Sequence, residues 1–414
     1  MSFKITLANN TDVAFTLALW RDARKQFEQP MNPRTKVVLP ELYPIDDTSQ
    51  GLRAEVHSQT AQWNFAFQPT WSGPPNAIKE NHYAPEDRAN ICQHIGAPQN
   101  GVRDLVFSFG PAFSSRSWMN LLDIDANTTL ADITIPGTHD TGTWNGNSND
   151  RCQSMNFQQQ LEWGIRWFDL RLVVNVEDME IYHAGDRQNV YLARDILPVL
   201  KQFLIDNPTE TVVLCVNHEF GLAGHCNDTP NPRGRDFDGL LHDLLMRGVT
   251  TNKLYDQPAM PKLAGLGGCI VLMRRDKGAT FGIRQLDQWP GDSTGTFTSG
   301  IGNVKFSVQD AYGYASDYLT AKWRNVRDQL QAAANRKDGD AWYINFTSAS
   351  RAPLTTPVEI AVAEPDLQGV NYQFHGYLCS QVSPVHLGTI PMDFPESPYG
   401  LVKLLISMNK LKGV

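Results

Sequence analysis

Phe3, Ile5 and Leu7 alternate with Lys4 and Thr6, and the alternation resumes at Val13, Phe15, Leu17 and Leu19 after the turn cluster Asn9-Asn10-Thr11-Asp12. A period of two on both sides of such a cluster predicts a β-hairpin. Trp63, Phe65 and Phe67 alternate in the same way, as do Leu105, Phe107 and Phe109. No apolar stripe at helical spacing of useful length appears here. Short alternating strands between polar loops predict an all-β, sandwich-like accessory domain over 1–115.

From about Arg116 the period changes. Asp132–Ile135 reads as a short strand, Phe157, Leu161 and Ile165 recur at helical spacing, and Trp167–Val173 reads as a strand. Val190, Ala193, Ile196, Leu197, Leu200 and Phe203 mark an amphipathic helix that ends at Asn207-Pro208. Further strands are predicted at Thr211–Val216, Cys269–Met273, Trp342–Phe346 and Thr389–Met392, with a last helix near Leu401–Met408. Strands alternating with helices predict a parallel α/β architecture. Six or seven such strands with chemistry at their C-terminal ends favour a distorted TIM-like barrel over 116–414. Gly291–Gly302, rich in Gly, Ser and Thr, reads as a loop.

Composition narrows the function classes. The 414 residues carry 36 basic and 44 acidic side chains, a formal charge of −8. The first 115 residues hold 10 basic and 11 acidic ones, about −1, so the excess acidity lies in the second part. This opposes nucleic-acid binding and simple electrostatic docking on anionic lipid. No run approaches the roughly 20 apolar residues of a membrane span. The start lacks the apolar core of a signal peptide, so the chain is expected to be cytoplasmic or to be shown without a leader. Six scattered cysteines form no CxxC pair or zinc spacing. They leave disulfide pairing open.

Candidate chemistry clusters at predicted strand ends. His139 and Asp140 follow a strand and a Pro-Gly turn in Thr134–Asp140, and His183 ends another strand. Asp169 and Arg171, two apart on one strand, share a face, the interior face in a barrel. Burying such a pair is costly unless it serves a site or a fixed ion pair. Two histidines with an arginine suit phosphodiester cleavage: a base, an acid and a charge to hold phosphate. His218, Glu219, His225 and Cys226 match no justified zinc pattern. Trp144 and Trp289 suit either a lipid interface or a substrate wall.

The fragments ITIPGTHD, FDLR, YHAG, TVVLCVNHE, IVLMRR, VQDAY and PMDFP, between about Ala131 and Pro395, resemble in order and spacing the catalytic core of bacterial phosphatidylinositol-specific phospholipase C. The resemblance implies that His139 is the general base for the inositol 2-hydroxyl and His183 the general acid for the departing diacylglycerol oxygen. It implies that Arg171 neutralises the phosphate, Asp393 orients His139, and Asp140 supports His183. Arg275, Asp310, Tyr312, Asn217 and Asp169 would bind the headgroup. Asn217 departs from the family, whose bacterial members carry Lys there. Calcium-dependent relatives use carboxylates where this chain has Arg171, and a guanidinium cannot coordinate a cation. The implied enzyme therefore needs no metal, with calcium the alternative cofactor.

The implied partners are a phospholipid membrane surface and the phosphatidylinositol headgroup, with no nucleic acid; secretion is expected, and the oligomeric state stays open with a monomer favoured. Two other readings compete: a calcium-dependent phosphodiesterase of the same superfamily acting on another phospholipid, and a catalytically inactive lipid- or glycan-binding protein.

Overall fold

The computed structural model describes residues 2–21, 24–44, 52–60, 63–67, 90–96, 99–219, 227–248, 253–285, 288–314, 316–337, 341–351, 354–363 and 368–412. They form two compact units. One comprises Met1–Ser114 with Val362–Val385 and Glu396–Val414, and the other Ser115–Ala361 with His386–Pro395. Periodicity alone placed the whole of 116–414 in the barrel. The structure instead lays the helix Val370–Cys379 against strands of the first unit.

The first unit contains β1 (Ser2–Asn9), β2 (Phe15–Arg21), β3 (Arg24–Met31), β4 (Thr35–Pro44), β5 (Leu52–His57), β6 (Phe65–Phe67), β7 (Asn90–Ile95) and β8 (Val102–Gly110). They make two four-stranded sheets, β4-β1-β8-β7 and β3-β2-β5-β6. The alternation explains the packing, since successive side chains point to opposite faces. Phe3, Ile5 and Leu7 of β1, Phe15, Leu17 and Leu19 of β2, and Phe107 and Phe109 of β8 all enter one core with Trp63.

The second unit is built on β9 (Ile135–Thr138), β10 (Trp167–Asn175), β11 (Asp178–His183), β12 (Asp186–Tyr191), β13 (Val212–His218), β14 (Leu254–Tyr255), β15 (Ile270–Arg274), β16 (Ile283–Arg284), β17 (Thr294–Thr298), β18 (Lys305–Gln309), β19 (Trp342–Asn345) and β20 (Thr389–Met392). Seven strands run parallel in the order β15-β13-β10-β9-β20-β19-β18. This is a TIM-like barrel whose ladder does not close on itself among the described residues. Its helices include α1 (Phe157–Trp163), α2 (Leu197–Asp206), α3 (Phe237–Gly248) and α4 (Tyr318–Ala334).

Several elements differ from the periodicity reading. Leu130–Asp132 is a 3-10 turn, because Asp132 accepts hydrogen bonds from the backbone N–H and hydroxyl of Thr129, and the strand starts at Ile135. Val190 belongs to β12, which pairs with β11 as a hairpin, and helix begins only after Tyr191. Gly291–Gly302 contains β17, which satisfies its backbone by antiparallel pairing with β18. The long helix α4 escaped detection because its buried face carries Lys322 and Gln329 among Leu319, Val326, Leu330 and Ala333. Polar residues on a buried face blur the apolar stripe on which pattern reading depends.

Candidate active site

The parallel register carries the chemistry to one end of the barrel. His139 follows β9, Arg171 lies in β10 beside Asn217 of β13, Arg275 follows β15, Asp310 follows β18, and Asp393 follows β20. His183 closes β11, which returns antiparallel from β10. His139, Arg171, His183, Asn217, Arg275, Asp310, Tyr312 and Asp393 all line one cavity of about 380 Å³. Asp140 and Asp169 lie beneath them, 1% and 0% exposed. Three turns here hold non-glycine residues in left-handed backbone: Asp140 (φ 41°), Ala184 (φ 50°) and Phe394 (φ 45°). Each adjoins one of the two histidines or Asp393. Such conformations cost roughly 1–3 kcal/mol and gather where surrounding structure enforces a site.

Asp140 is the hub. Its Oδ2 lies 3.2 Å from His139 Nε2 and 3.2 Å from His183 Nε2, and its Oδ1 lies 2.7 Å from Arg171 Nε. Burial opposes its charge, but Arg171, His139 and His183 outweigh burial and bring its pKa to about 2. Arg171 also meets Asp169 Oδ2 at 3.3 Å. Burial disfavours its charge too, yet Asp140 and Asp169 hold the guanidinium firmly protonated.

His139 Nδ1 meets Asp393 Oδ1 at 2.8 Å, while Arg171 Nη2 stands 2.9 Å from Nε2. The arginine can only donate, so this contact calls for an unprotonated Nε2, whereas the Asp140 carboxylate, 3.2 Å from the same atom, can only accept. The carboxylates pull the other way. Burial would lower the His139 pKa, but Asp140 and then Asp393 raise it to about 9. Nε2 thus faces both a donor, Arg171, and an acceptor, Asp140, while the carboxylates favour the protonated ring. Burial raises the Asp393 carboxyl, against the pull of His139. His183 Nδ1 is 2.7 Å from the Asp150 carbonyl, which fixes Nδ1–H and leaves Nε2 facing the hub.

On the opposite wall, Arg275 Nη1 reaches Asp169 Oδ1 at 3.3 Å and Nη2 approaches Asp310 Oδ2 at 3.6 Å. Its guanidinium lies 4.1 Å from the Trp289 ring centre, and Trp289 Nε1 donates to Asp310 at 2.7 Å. Trp289 is therefore a wall of this site, while Trp144 is half-buried. Tyr312, 43% exposed, stands at the rim. Sequence reasoning passed over Glu219, which lines the cavity two positions beyond Asn217. Burial raises its pKa, with Arg171 opposing. His218 pairs instead with Asp228 at 3.1 Å, and His225 and Cys226 lie outside the described residues. The described cysteines Cys92, Cys152, Cys215, Cys269 and Cys379 are free and buried.

Metal-ligand atoms do converge here: those of His139, Asp140 and Asp169 lie within 4.8 Å of one another. Arg171 is bonded into the same carboxylates, and a calcium ion wants six to eight oxygens. The donor set fits that ion poorly.

Two histidines on one buried aspartate, with an arginine between carboxylates at the mouth of a parallel barrel, bring together the groups that acid–base chemistry on an anionic substrate requires. No protein-family model matches the chain. The 1-phosphatidylinositol phosphodiesterase of Listeria monocytogenes is 28% identical over 307 residues, spanning 72% of this chain and 86% of that protein. The protein of the same name from Staphylococcus aureus strain Newman is 26% identical over 256 residues, 57% of this chain and 76% of its own. The solved phosphatidylinositol-specific phospholipase C of Staphylococcus aureus, an F249X mutant, superposes with a TM-score of 0.60 at 22% identity, covering 72% of this chain and 98% of that one. The Listeria monocytogenes structure gives 0.53 at 24%, covering 72% and 100%. By sequence the chain is similar to bacterial 1-phosphatidylinositol phosphodiesterases, and by fold to bacterial phosphatidylinositol-specific phospholipases C.

Proposed function

We propose that this protein cleaves the glycerol-side phosphodiester bond of phosphatidylinositol, giving diacylglycerol and inositol 1,2-cyclic phosphate, without a metal ion. The observation that carries the reading is the placement of His139 Nε2 and His183 Nε2 at 3.2 Å from the same Asp140 oxygen, with Arg171 alongside. The inositol 2-hydroxyl attacks phosphorus in line and gives its proton to His139 Nε2. The bond from phosphorus to the glycerol oxygen breaks, and that oxygen takes the proton from His183 Nε2. Arg171 meets the charge that grows on the phosphate oxygens, in place of a metal. Asp393 orients His139, and Asp140 steadies the cationic form of either ring. Arg275, Asp310, Tyr312 and Asn217 line the cavity and receive the inositol ring, whereas Asp169, expected to join them, is fully buried beneath and holds Arg171 and Arg275. Arg275 supplies donors and Asp310 acceptors for its hydroxyls.

The substrate lies in a membrane surface, and no helix among the described residues is long and apolar enough to cross one. Secretion belongs to the same proposal, since a non-basic chain with a lipid substrate suits attack on membranes outside the producing cell. Fractionation of culture medium from cells tests it.

Phosphorus NMR of products from phosphatidylinositol and phosphatidylcholine, each with and without chelator, tests the core of the reading. A cyclic inositol phosphate signal from phosphatidylinositol alone, unchanged by chelator, is expected. Activity lost in chelator and restored by calcium would overturn the metal-free mechanism.

The pH profile supplies a second check. The base must be unprotonated, and Asp140 and Asp393 raise its pKa, so the acid limb of kcat/KM is expected above the ordinary 6.5. Asp393→Asn removes one raising charge, so the limb should move to lower pH while the maximum falls. An unmoved limb would remove Asp393 from its place behind His139.

A further inference from the structure

Lys322, at 0% exposure on α4, buries an ammonium within the barrel unit. Its Nζ donates to the Ala311 carbonyl at 2.7 Å and to Gln309 Oε1 at 3.1 Å. Both acceptors are neutral, and burying a charge against neutral partners is expensive. The segment it grips explains the expense. Gln309 Oε1 also accepts from Ala311 N–H at 3.0 Å, and Gln309 Nε2 donates to Asn345 Oδ1 and to the Phe346 carbonyl, both at 2.8 Å. The Ala311 carbonyl takes a second bond from the Tyr314 hydroxyl at 3.0 Å. From the other side, Asp292 accepts the N–H groups of Tyr312 and Gly313, each at 2.7 Å. The two residues flanking Ala311 are Asp310 and Tyr312, which line the cavity.

We propose that Lys322 is a positioning residue for the headgroup subsite: from α4 its ammonium clamps the main chain that presents Asp310 and Tyr312 to the cavity. The proposal rests on the phospholipase C reading for the identity of that headgroup. The groups facing Lys322 are carboxylates, Asp310 after β18, Asp393 after β20 and Asp292 before β17, and all three favour its charge. Burial outweighs them and lowers the Lys322 pKa to about 7. The clamp is therefore strongest when the ammonium is charged and loosens as pH rises through neutrality. Headgroup affinity follows it, while the histidines and Arg171, on other strands, keep their geometry.

The test uses the full chain and Lys322→Met, with Lys322→Gln as the variant that keeps a neutral donor should the Met variant fail to melt cooperatively. KM and kcat are measured on phosphatidylinositol in mixed micelles from pH 6 to 8.5, and myo-inositol binding by calorimetry. The variant should raise KM and the inositol Kd about tenfold at pH 6, the size of one lost bond from a charged donor, with kcat nearly unchanged. In the unaltered protein KM should climb between pH 6 and 8.5, and in the variant it should stay flat. Loss confined to kcat, or identical KM profiles in both proteins, would overturn the clamp while leaving the phospholipase reading intact. An unaltered protein that binds myo-inositol more tightly than Lys322→Met does but leaves phosphatidylinositol uncut would sustain the clamp and overturn the phospholipase reading.

Discussion

His139→Ala and His183→Ala should each lower kcat on phosphatidylinositol by about 10²- to 10⁴-fold, the usual contribution of a positioned acid or base. The two losses should differ in kind. His183 serves the leaving oxygen, so an inositol phosphate ester of a good phenolic leaving group needs little protonation there. His183→Ala should regain much of its rate on such an ester. His139→Ala should not, because the 2-hydroxyl still has to lose its proton. Steady-state rates on both substrates separate the roles, and equal rescue of the two variants would cancel the assignment. Because both rings share Asp140, Asp140→Asn should reproduce part of each defect.

Arg171→Met carries the second large effect, and it falls on activity and stability together. Asp140 and Asp169 are buried at 1% and 0% exposure, and Arg171 contacts both. Removing one partner of a buried charge network costs about 3–5 kcal/mol, and less here because the guanidinium side chain keeps 20% of its exposure. Turnover should fall about 10²- to 10³-fold, as when a group aimed at developing charge is lost. Arg171→Lys should recover stability better than rate, since an ammonium supplies charge without the planar fork. Denaturant unfolding beside single-turnover cleavage reads both. A drop in kcat below tenfold in the Met variant, with the fold intact, would take the phosphate charge away from Arg171.

Much of the site was legible because it sits where local pattern is strong. His139, Asp169 and Arg171 lie in or just after apolar strand runs, and strand alternation alone puts Asp169 and Arg171 on one face, whereas Asp310 and Asp393 stood out only through the resemblance to a known family. Six of the seven parallel strands were legible for the same reason, and β18 (Lys305–Gln309) was not. Glu219 was passed over because it was weighed with His225 and Cys226 as a metal cluster rather than as the next same-face position after Asn217. Trp289 offered no local signal: its partners Arg275 and Asp310 come from two other strand ends. Helix α4 was hidden by the polar residues that it buries.

The sequence by itself determined the two periods, the strand ends that carry ionisable groups, and the residue types needed for acid–base work on a phosphate ester. Those properties are short-range, set by which face each residue presents within one element. Only the tertiary structure decided how the groups are shared. It joined His139 to Asp393 across 254 positions, set one Asp140 oxygen between two histidines, and packed C-terminal helices with the β unit. Contacts of that kind depend on strand order and register, and no local spacing along a chain encodes them.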